Sequence, residues 1–158
     1  MTPAINAAKK AKIRYTIHEY RHDPSADSYG MEAAEKLKVP AKQVFKTLVV
    51  SLDDRELAVA VIPVSSMLNM KFFARAAGVK KCVMAAAADV ERTTGYVLGG
   101  VSPLGQKKRL RTIIDASAAP LASLFVRAGR RGLEIELSPP DPKNPTGARF
   151  AALCPPAR

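Results

Sequence analysis

The chain has 158 residues, of which 47% are hydrophobic, so it can bury a core without disulfide or metal staples. Its 25 basic residues exceed its 14 acidic residues, and the net charge of +11 favours a polyanionic partner, although a basic surface also serves solubility. It lacks a secretory leader and any run of eighteen apolar residues, which predicts a cytoplasmic protein without membrane spans.

The first half of the chain predicts two helices, a separate strand and a β-hairpin. In chain order these elements are a helix at 2–13, a strand at 15–20, a helix at 28–38, and strands at 45–52 and 57–64 joined by a turn at 53–55. Thr2 can cap the first helix, and Pro3 suits its first turn.

The second half predicts shorter elements. They are a helix that Asn69 caps and Gly78 closes, a strand at 81–84, a helix at 89–94, strands at 112–115, 124–127 and 133–137, and a last segment at 148–153. Helices interspersed with hairpin-like strands predict one α/β or α+β domain over residues 1–158, with a mixed sheet.

Several kinds of chemistry lack their sequence signals. The chain has no GxxxxGK[ST] phosphate loop and no GxSxG elbow, and His18 and His22 lack metal-ligand spacing. We therefore expect no metal and no cofactor. The apolar residues around Cys82 predict that it is buried as a small hydrophobic residue, and Cys154 lies in a proline-rich tail. A reactive thiol is the alternative that the sequence leaves open at both positions.

Lys46 is the first candidate for chemistry. It lies near the start of the predicted strand 45–52, between Phe45 and Thr47. An inward-facing lysine there would indicate a function, because burying an ammonium group without partners is costly. The strand alternation by itself favours a solvent-facing lysine, so the pattern leaves both orientations open.

A glycine-rich loop at 99–105 and a basic segment at 106–111 are the other candidates. Free N–H groups near Gly99 and Gly100 could bind a carbonyl oxygen as it gains negative charge, although an ordinary turn has the same composition. The basic side chains that follow suit phosphates or form a solvated face. A further arginine group, at 127, 130 and 131, could extend this patch.

These segments together resemble the YbaK family, bacterial cysteinyl-tRNA(Pro) deacylases related to the editing domain of prolyl-tRNA synthetase. The matching segments span almost the whole chain and lie at 1–4, 20–24, 44–48, 57–61, 94–110, 112–115 and 131–137. The most specific is Thr94–Leu110, which reads TGYVLGGVSPLGQKKRL.

The resemblance implies a mixed α/β (α+β) fold with a curved mixed β-sheet surrounded by helices. It implies a hydrolase that acts in trans on misacylated tRNA(Pro), with tRNA and, transiently, prolyl-tRNA synthetase as partners. The implied catalytic residues are Lys46, Gly99, Gly100 and Val101, and the implied pocket residues are Tyr20, Thr47, Ser102, Gly129 and Glu134. The basic residues expected at the tRNA are Lys107, Lys108, Arg109, Arg111, Arg130 and Arg131.

The sequence departs from the family in three places. Arg127-Ala128-Gly129 replaces Ser-Gly-Gly, Glu134 replaces an aspartate, and the proline-rich stretch Pro139–Pro145 replaces a C-terminal helix. The family mechanism implies that the substrate's own thiol attacks its carbonyl. Our own hypothesis for Glu134 is that it orients the substrate's amino group. Removal of alanine or another small amino acid by an activated water, and tRNA or synthetase binding without catalysis, are the alternatives.

Overall fold

The computed structural model describes residues 1–25, 29–139 and 147–156. Helices and strands there follow the predicted order closely. The α-helices are α1 (Pro3–Lys10), α2 (Tyr29–Leu37), α3 (Met70–Ala77) and α4 (Ala87–Thr94). The strands are β1 (Tyr15–Glu19), β2 (Phe45–Leu52), β3 (Glu56–Pro63), β4 (Cys82–Met84), β5 (Arg111–Asp115), β6 (Leu124–Arg127), β7 (Leu133–Leu137) and β8 (Arg149–Ala151). Helix α1 ends three residues before the predicted limit, since Ala11 caps it and Lys12 takes a left-handed conformation.

The strands form two sheets where one curved sheet was expected. A three-stranded antiparallel sheet has the order β1-β7-β6, and a five-stranded mixed sheet has the order β4-β2-β3-β5-β8. A single parallel bridge between Val44 and Phe125 connects the two sheets at the start of β2. The mixed α+β class is therefore confirmed. In place of one curved sheet, the structure has two sheets that meet at this bridge.

The β2–β3 hairpin is the centre of the larger sheet. Asp53 and Asp54 both have positive φ, at 51° and 55°, as the tight turn of a twisted hairpin requires. One face of the hairpin carries Val49 and Val61 into the core shared with the three-stranded sheet, α1 and α4. The other face carries Ile62 into a second core beneath α3.

The C-terminal segment is locked against this second core. Leu153 is fully buried, its N–H donates to Asp115 Oδ1 at 2.9 Å, and its carbonyl accepts from Asn69 N–H at 2.9 Å. Asn69 also caps α3, as predicted, by accepting from Phe72 N–H. Most of the proline-rich stretch, from residue 140 onward, lies outside the described residues. Among the described helices, none has the length and apolar character needed to cross a membrane.

Candidate active site

A cavity of about 250 Å³ lies beside the first half of β2 and reaches the three-stranded sheet. Five of the predicted site residues line it together: Lys46, Thr47, Gly99, Val101 and Glu134. The remaining lining residues are Gly30, Phe45, Leu48, Val64, Leu98 and Arg127. Residues separated by up to 104 positions in the sequence thus meet at one site, which no local pattern could specify.

The edge of β2 forms one wall of this cavity. Val44 accepts from Val64 N–H on the β3 side, whereas Val49 accepts from Ala85 N–H on the opposite side. Because backbone direction alternates along an antiparallel strand, the odd-numbered residues of β2 direct their N–H and C=O groups away from β3. Strand β4 pairs with β2 only from Val50 onward, so the backbone groups of Thr47 face an open edge.

Lys46 and Thr47 point to opposite faces of β2. Lys46 is opposite Ile62 and Thr47 is opposite Val61, and these partners belong to different cores. Both residues line the cavity because it follows the strand edge. Lys46 is half-buried as a residue, and its ammonium group makes no ion pair or hydrogen bond within the described residues. It is therefore the cation of the site that is left for a ligand.

Cys154 lies within the electrostatic reach of Lys46. Burial raises the pKa of the Cys154 thiol to about 11, with a further rise from the Asp115 carboxylate, while the Lys46 charge lowers it. A thiol with this pKa is protonated at neutral pH and is a poor nucleophile. Cys82 is buried and its pKa is also raised by burial, so both cysteines have inert environments.

The glycine-rich loop offers two amide groups to the cavity. The N–H of Gly100 is already used, since it donates to Val97 O at 3.0 Å, and Gly100 does not line the cavity. Gly99 and Val101 do line it, and their N–H groups make no hydrogen bond with the described part of the chain. The predicted oxyanion site is thus reduced from three candidate amides to the outer two.

The backbone of this loop is tightly packed. A Cβ atom at Gly100 would lie 2.8 Å from Gly129 O, and one at Gly99 would lie 2.5 Å from Arg131 Nε. Gly129 itself supports the loop from below, against Thr2 and Tyr96, and does not line the cavity. Its predicted role in the pocket is therefore indirect, through the position of Gly100.

Ser102 and Tyr96 hold the far end of the loop. Tyr96 Oη donates to Leu104 O at 2.6 Å, and burial raises the pKa of Tyr96 to about 12. Ser102 is fully buried, its Oγ accepts from Leu104 N–H, and its carbonyl accepts from Gln106. The structure contradicts a direct pocket contact for Ser102, because its hydroxyl is turned into the loop and not into the cavity.

Arg127 and Glu134 are buried in the cavity wall, and Tyr20, which is half-buried and does not line the cavity, contacts Arg127. Arg127 and Glu134 are opposite each other in the β6–β7 ladder, and Arg127 Nε lies 3.4 Å from Glu134 Oε2. Arg127 Nη1 donates to the Tyr20 hydroxyl at 2.8 Å. Burial raises the pKa of Glu134 to about 7 against the opposing charge of Arg127. Burial likewise raises the pKa of Tyr20.

Two buried oxygen atoms in the cavity wall lack hydrogen-bond partners among the described residues. They are Thr47 Oγ1 and Glu134 Oε2. The Arg127 contact to Glu134 Oε2 is an ion-pair distance without hydrogen-bond geometry. A buried polar atom without a partner costs free energy, so such atoms in a cavity indicate where a ligand donates.

Arg127 was considered in two places, as an extension of the basic patch with Arg130 and Arg131 and as part of a segment that lines the pocket in the resembling family. The structure places it in the cavity lining, where it is 8% exposed, whereas Arg130 and Arg131 are exposed. A charged residue in each of two buried strands is the sequence signal for this position, since Arg127 and Glu134 can then neutralise each other across a ladder.

The predicted tRNA-binding residues fall into two groups. Lys107, Lys108 and Arg109 are exposed on the loop that follows the glycines, and two more exposed arginines lie beside the glycines, Arg131 at Gly99 and Arg130 at Gly100. Arg111 lies apart at the start of β5.

Arg111 is exposed, yet its guanidinium donates to Ala77 O at 2.9 Å and to Glu56 Oε1 at 3.1 Å. It ties β5 to α3 and β3, so its contacts explain its presence without a tRNA.

Comparisons with known proteins identify the family of this chain. The family model of the aminoacyl-tRNA editing domain matches residues 23–143. A protein of Enterococcus faecalis named "Putative Cys-tRNA(Pro)/Cys-tRNA(Cys) deacylase EbsC" is 37% identical over 153 residues, covering 96% of this chain and 92% of its own.

Solved structures show the same fold. One described as "a putative trans-editing enzyme for prolyl tRNA synthetase" superposes with a TM-score of 0.82 at 20% identity, covering 98% of this chain and 96% of the other. Another, "hypothetical protein APE2540", superposes with a TM-score of 0.83 at 25% identity, covering 96% and 98%. The family match and the long, 37% identical relative establish that this chain belongs to the aminoacyl-tRNA editing family, enzymes that deacylate misacylated tRNA.

Proposed function

We propose that this deacylase removes cysteine from misacylated tRNA(Pro). The observation that carries the proposal is the single cavity that joins the unpaired Lys46 ammonium, the Gly99 and Val101 amides and two orphaned oxygen atoms. Its volume of about 250 Å³ suits a small aminoacyl group on a terminal ribose. The name of the Enterococcus faecalis relative supports the same amino acid and tRNA.

The proposed chemistry needs little from the protein, since an aminoacyl ester is already activated. The Gly99 and Val101 N–H groups hold the ester carbonyl and stabilise its oxygen as negative charge develops. The Lys46 ammonium adds positive charge beside the terminal ribose or its phosphate. With Cys82 and Cys154 both in inert environments, the substrate's own thiol is the nucleophile.

We propose that the tRNA acceptor stem crosses the exposed basic residues beside the cavity. Arg131 lies next to Gly99 and Arg130 next to Gly100, and Lys107, Lys108 and Arg109 follow the same loop. A net charge of +11 supports phosphate contacts of this kind. Prolyl-tRNA synthetase, from which a mischarged tRNA(Pro) is released, is the proposed transient protein partner.

The test is deacylation of Cys-tRNA(Pro) by the wild type and by Lys46→Ala. Loss of one preorganised electrostatic contact is expected to lower the single-turnover rate by roughly 10²-fold. Lys42→Ala is the matched control, because Lys42 is an exposed lysine four residues away and outside the cavity. Unchanged turnover of Lys46→Ala would refute the role of Lys46.

A panel of Cys-, Ala- and Ser-tRNA(Pro) tests the nucleophile. We expect the cysteinyl ester to be cleaved fastest, since only it carries a thiol. Equal cleavage of the alanyl ester would instead favour an activated water. The small volume of the cavity is compatible with alanine, so this panel separates the two amino acids directly.

A further inference from the structure

The Arg127–Glu134 pair is poorly suited to bind the substrate's amino group. The two charges neutralise each other across 3.4 Å, so the pair attracts a second cation only weakly. Glu134 is only 1% exposed, yet its Oε2 atom accepts no hydrogen bond from the described residues. That lone pair needs a neutral hydrogen-bond donor. A thiol is such a donor, and in a cysteinyl ester it is also the nucleophile.

We propose that Glu134 takes the proton of the substrate's own thiol and that Arg127 stabilises the thiolate so formed. The inference rests on the proposed function, since it requires a cysteinyl ester in the cavity. It gives the pair a catalytic role in place of the amino-group contact that we expected from the sequence.

The step balances without any further reactant. The thiol proton moves to Glu134 Oε2, and the sulfur forms a bond to the ester carbonyl carbon. The bond between that carbon and the ribose oxygen then breaks, and the ribose oxygen takes the proton back from Glu134. The products are tRNA with a free terminal hydroxyl and the four-membered thiolactone of cysteine, which water later opens in solution.

The geometry of Arg127 fits this role. Its Nη1 is held by the Tyr20 hydroxyl at 2.8 Å, and its Nε faces Glu134, so the guanidinium is fixed before substrate binds. A fixed cation beside a developing thiolate lowers its energy most in a water-poor site. A serine at position 127, as in the resembling family, would supply no such charge.

The pKa of Glu134 also suits a group that accepts the thiol proton. Burial raises its pKa to about 7, within about two units of a cysteine thiol at roughly 8.5, which allows efficient transfer near neutral pH. The charged and titratable groups around Glu134 are Arg127, Tyr20, His18 opposite it on β1, and Lys46 in the same cavity. Glu32 on α2 acts on Tyr20, and Glu136 on β7 is hydrogen-bonded to His18 and Ser123. Arg127 is the charge that acts on Glu134 directly.

The test compares pH profiles of single-turnover Cys-tRNA(Pro) deacylation between pH 6 and pH 9. Glu134→Gln should be roughly 10²-fold slower than wild type at pH 6.5, and the gap should narrow toward pH 9 as the thiol ionises unaided. In Arg127→Met the rise of the deacylation rate with pH should occur at a higher pH, because losing the positive charge raises the pKa of Glu134. Arg127→Lys should return this rise to nearly the wild-type pH.

The controls separate this proposal from a structural role and from the proposed function. The double variant Arg127→Met/Glu134→Gln removes both charges of the buried pair and leaves neither one uncompensated, so it tests the base even if Glu134→Gln unfolds. A loss that is equal at every pH, or a full-rate Glu134→Gln, would overturn the base assignment alone. A wild type that leaves Cys-tRNA(Pro) intact would instead refute the proposed function, and this inference with it.

Discussion

The orphaned hydroxyl of Thr47 makes an unusual prediction, in which removing a polar group stabilises the protein and impairs the enzyme. Thr47 Oγ1 is buried in the cavity wall and has no hydrogen-bond partner among the described residues. Burial of a hydroxyl without a partner costs about 1–3 kcal/mol. Thr47→Val keeps the side-chain shape and removes that cost.

Thr112→Val is the matched control. Thr112 is a buried threonine on β5, and its Oγ1 donates to Leu110 O at 3.1 Å. The same substitution in the same kind of strand therefore breaks a satisfied hydrogen bond there, at a cost of about 1 kcal/mol or more. Differences in strand propensity between threonine and valine cancel in the comparison.

The assay is thermal unfolding followed by circular dichroism, beside deacylation of Cys-tRNA(Pro). A gain of about 1 kcal/mol should raise the Tm of Thr47→Val by roughly 2–4 °C for a chain of this size, and Thr112→Val should fall by a similar amount. If Thr47 contacts the substrate, losing that bond should lower kcat/KM about tenfold. A Tm for Thr47→Val that falls as far as that of Thr112→Val would refute the reasoning, because it would mean that the hydroxyl is satisfied within the fold.

Two further substitutions test the glycine-rich loop and the buried carboxylate of Glu32 on α2. Gly100→Ala should lower kcat/KM at least tenfold, since its Cβ would lie 2.8 Å from a backbone oxygen and displace the neighbouring amides, whereas Gly78→Ala, which meets open space at φ 75°, should lower only the Tm. For Glu32, burial raises the pKa, but hydrogen bonds from the His22 ring and the Asp23 amide lower it overall. A carboxyl group whose pKa is lowered by folding stabilises the folded state at pH values above its unfolded pKa of about 4.3. This stabilisation is lost as the pH falls through the pKa of the folded state. Glu32→Gln should therefore lower the free energy of unfolding at pH 7 by about 1–3 kcal/mol, with the gap to wild type closing by pH 3 in urea titrations; a gap that persists at pH 3 would contradict the linkage.

Local signals predicted most of the elements. The limits of β2, β6 and β7 agree with the sequence pattern, because apolar runs bounded by turn residues specify strands directly. Asn69 and Gly78 begin and end α3 as expected, since caps act over only a few residues.

The site needed long-range information. The inward position of Arg127 depends on its register opposite Glu134, and that register is set by the pairing of two strands. The use of the Gly100 amide within its own turn likewise depends on the loop backbone, not on composition. The family resemblance brought Lys46 and Glu134 into one site before any geometry could. It gave no warning that Ser102 would turn away from the cavity.

The open stretch of β2 also bears on how this protein avoids aggregation. An exposed strand edge is a template for pairing with other chains. Here the bridge at Val44 closes one end of the stretch, and the hydrogen bond from Ala85 N–H to Val49 O closes the other, which leaves the four residues 45–48 uncovered. That gap is shorter than an ordinary strand of five or six residues. The fold can therefore keep the Thr47 backbone groups free for a small ligand while denying a foreign strand enough length to dock.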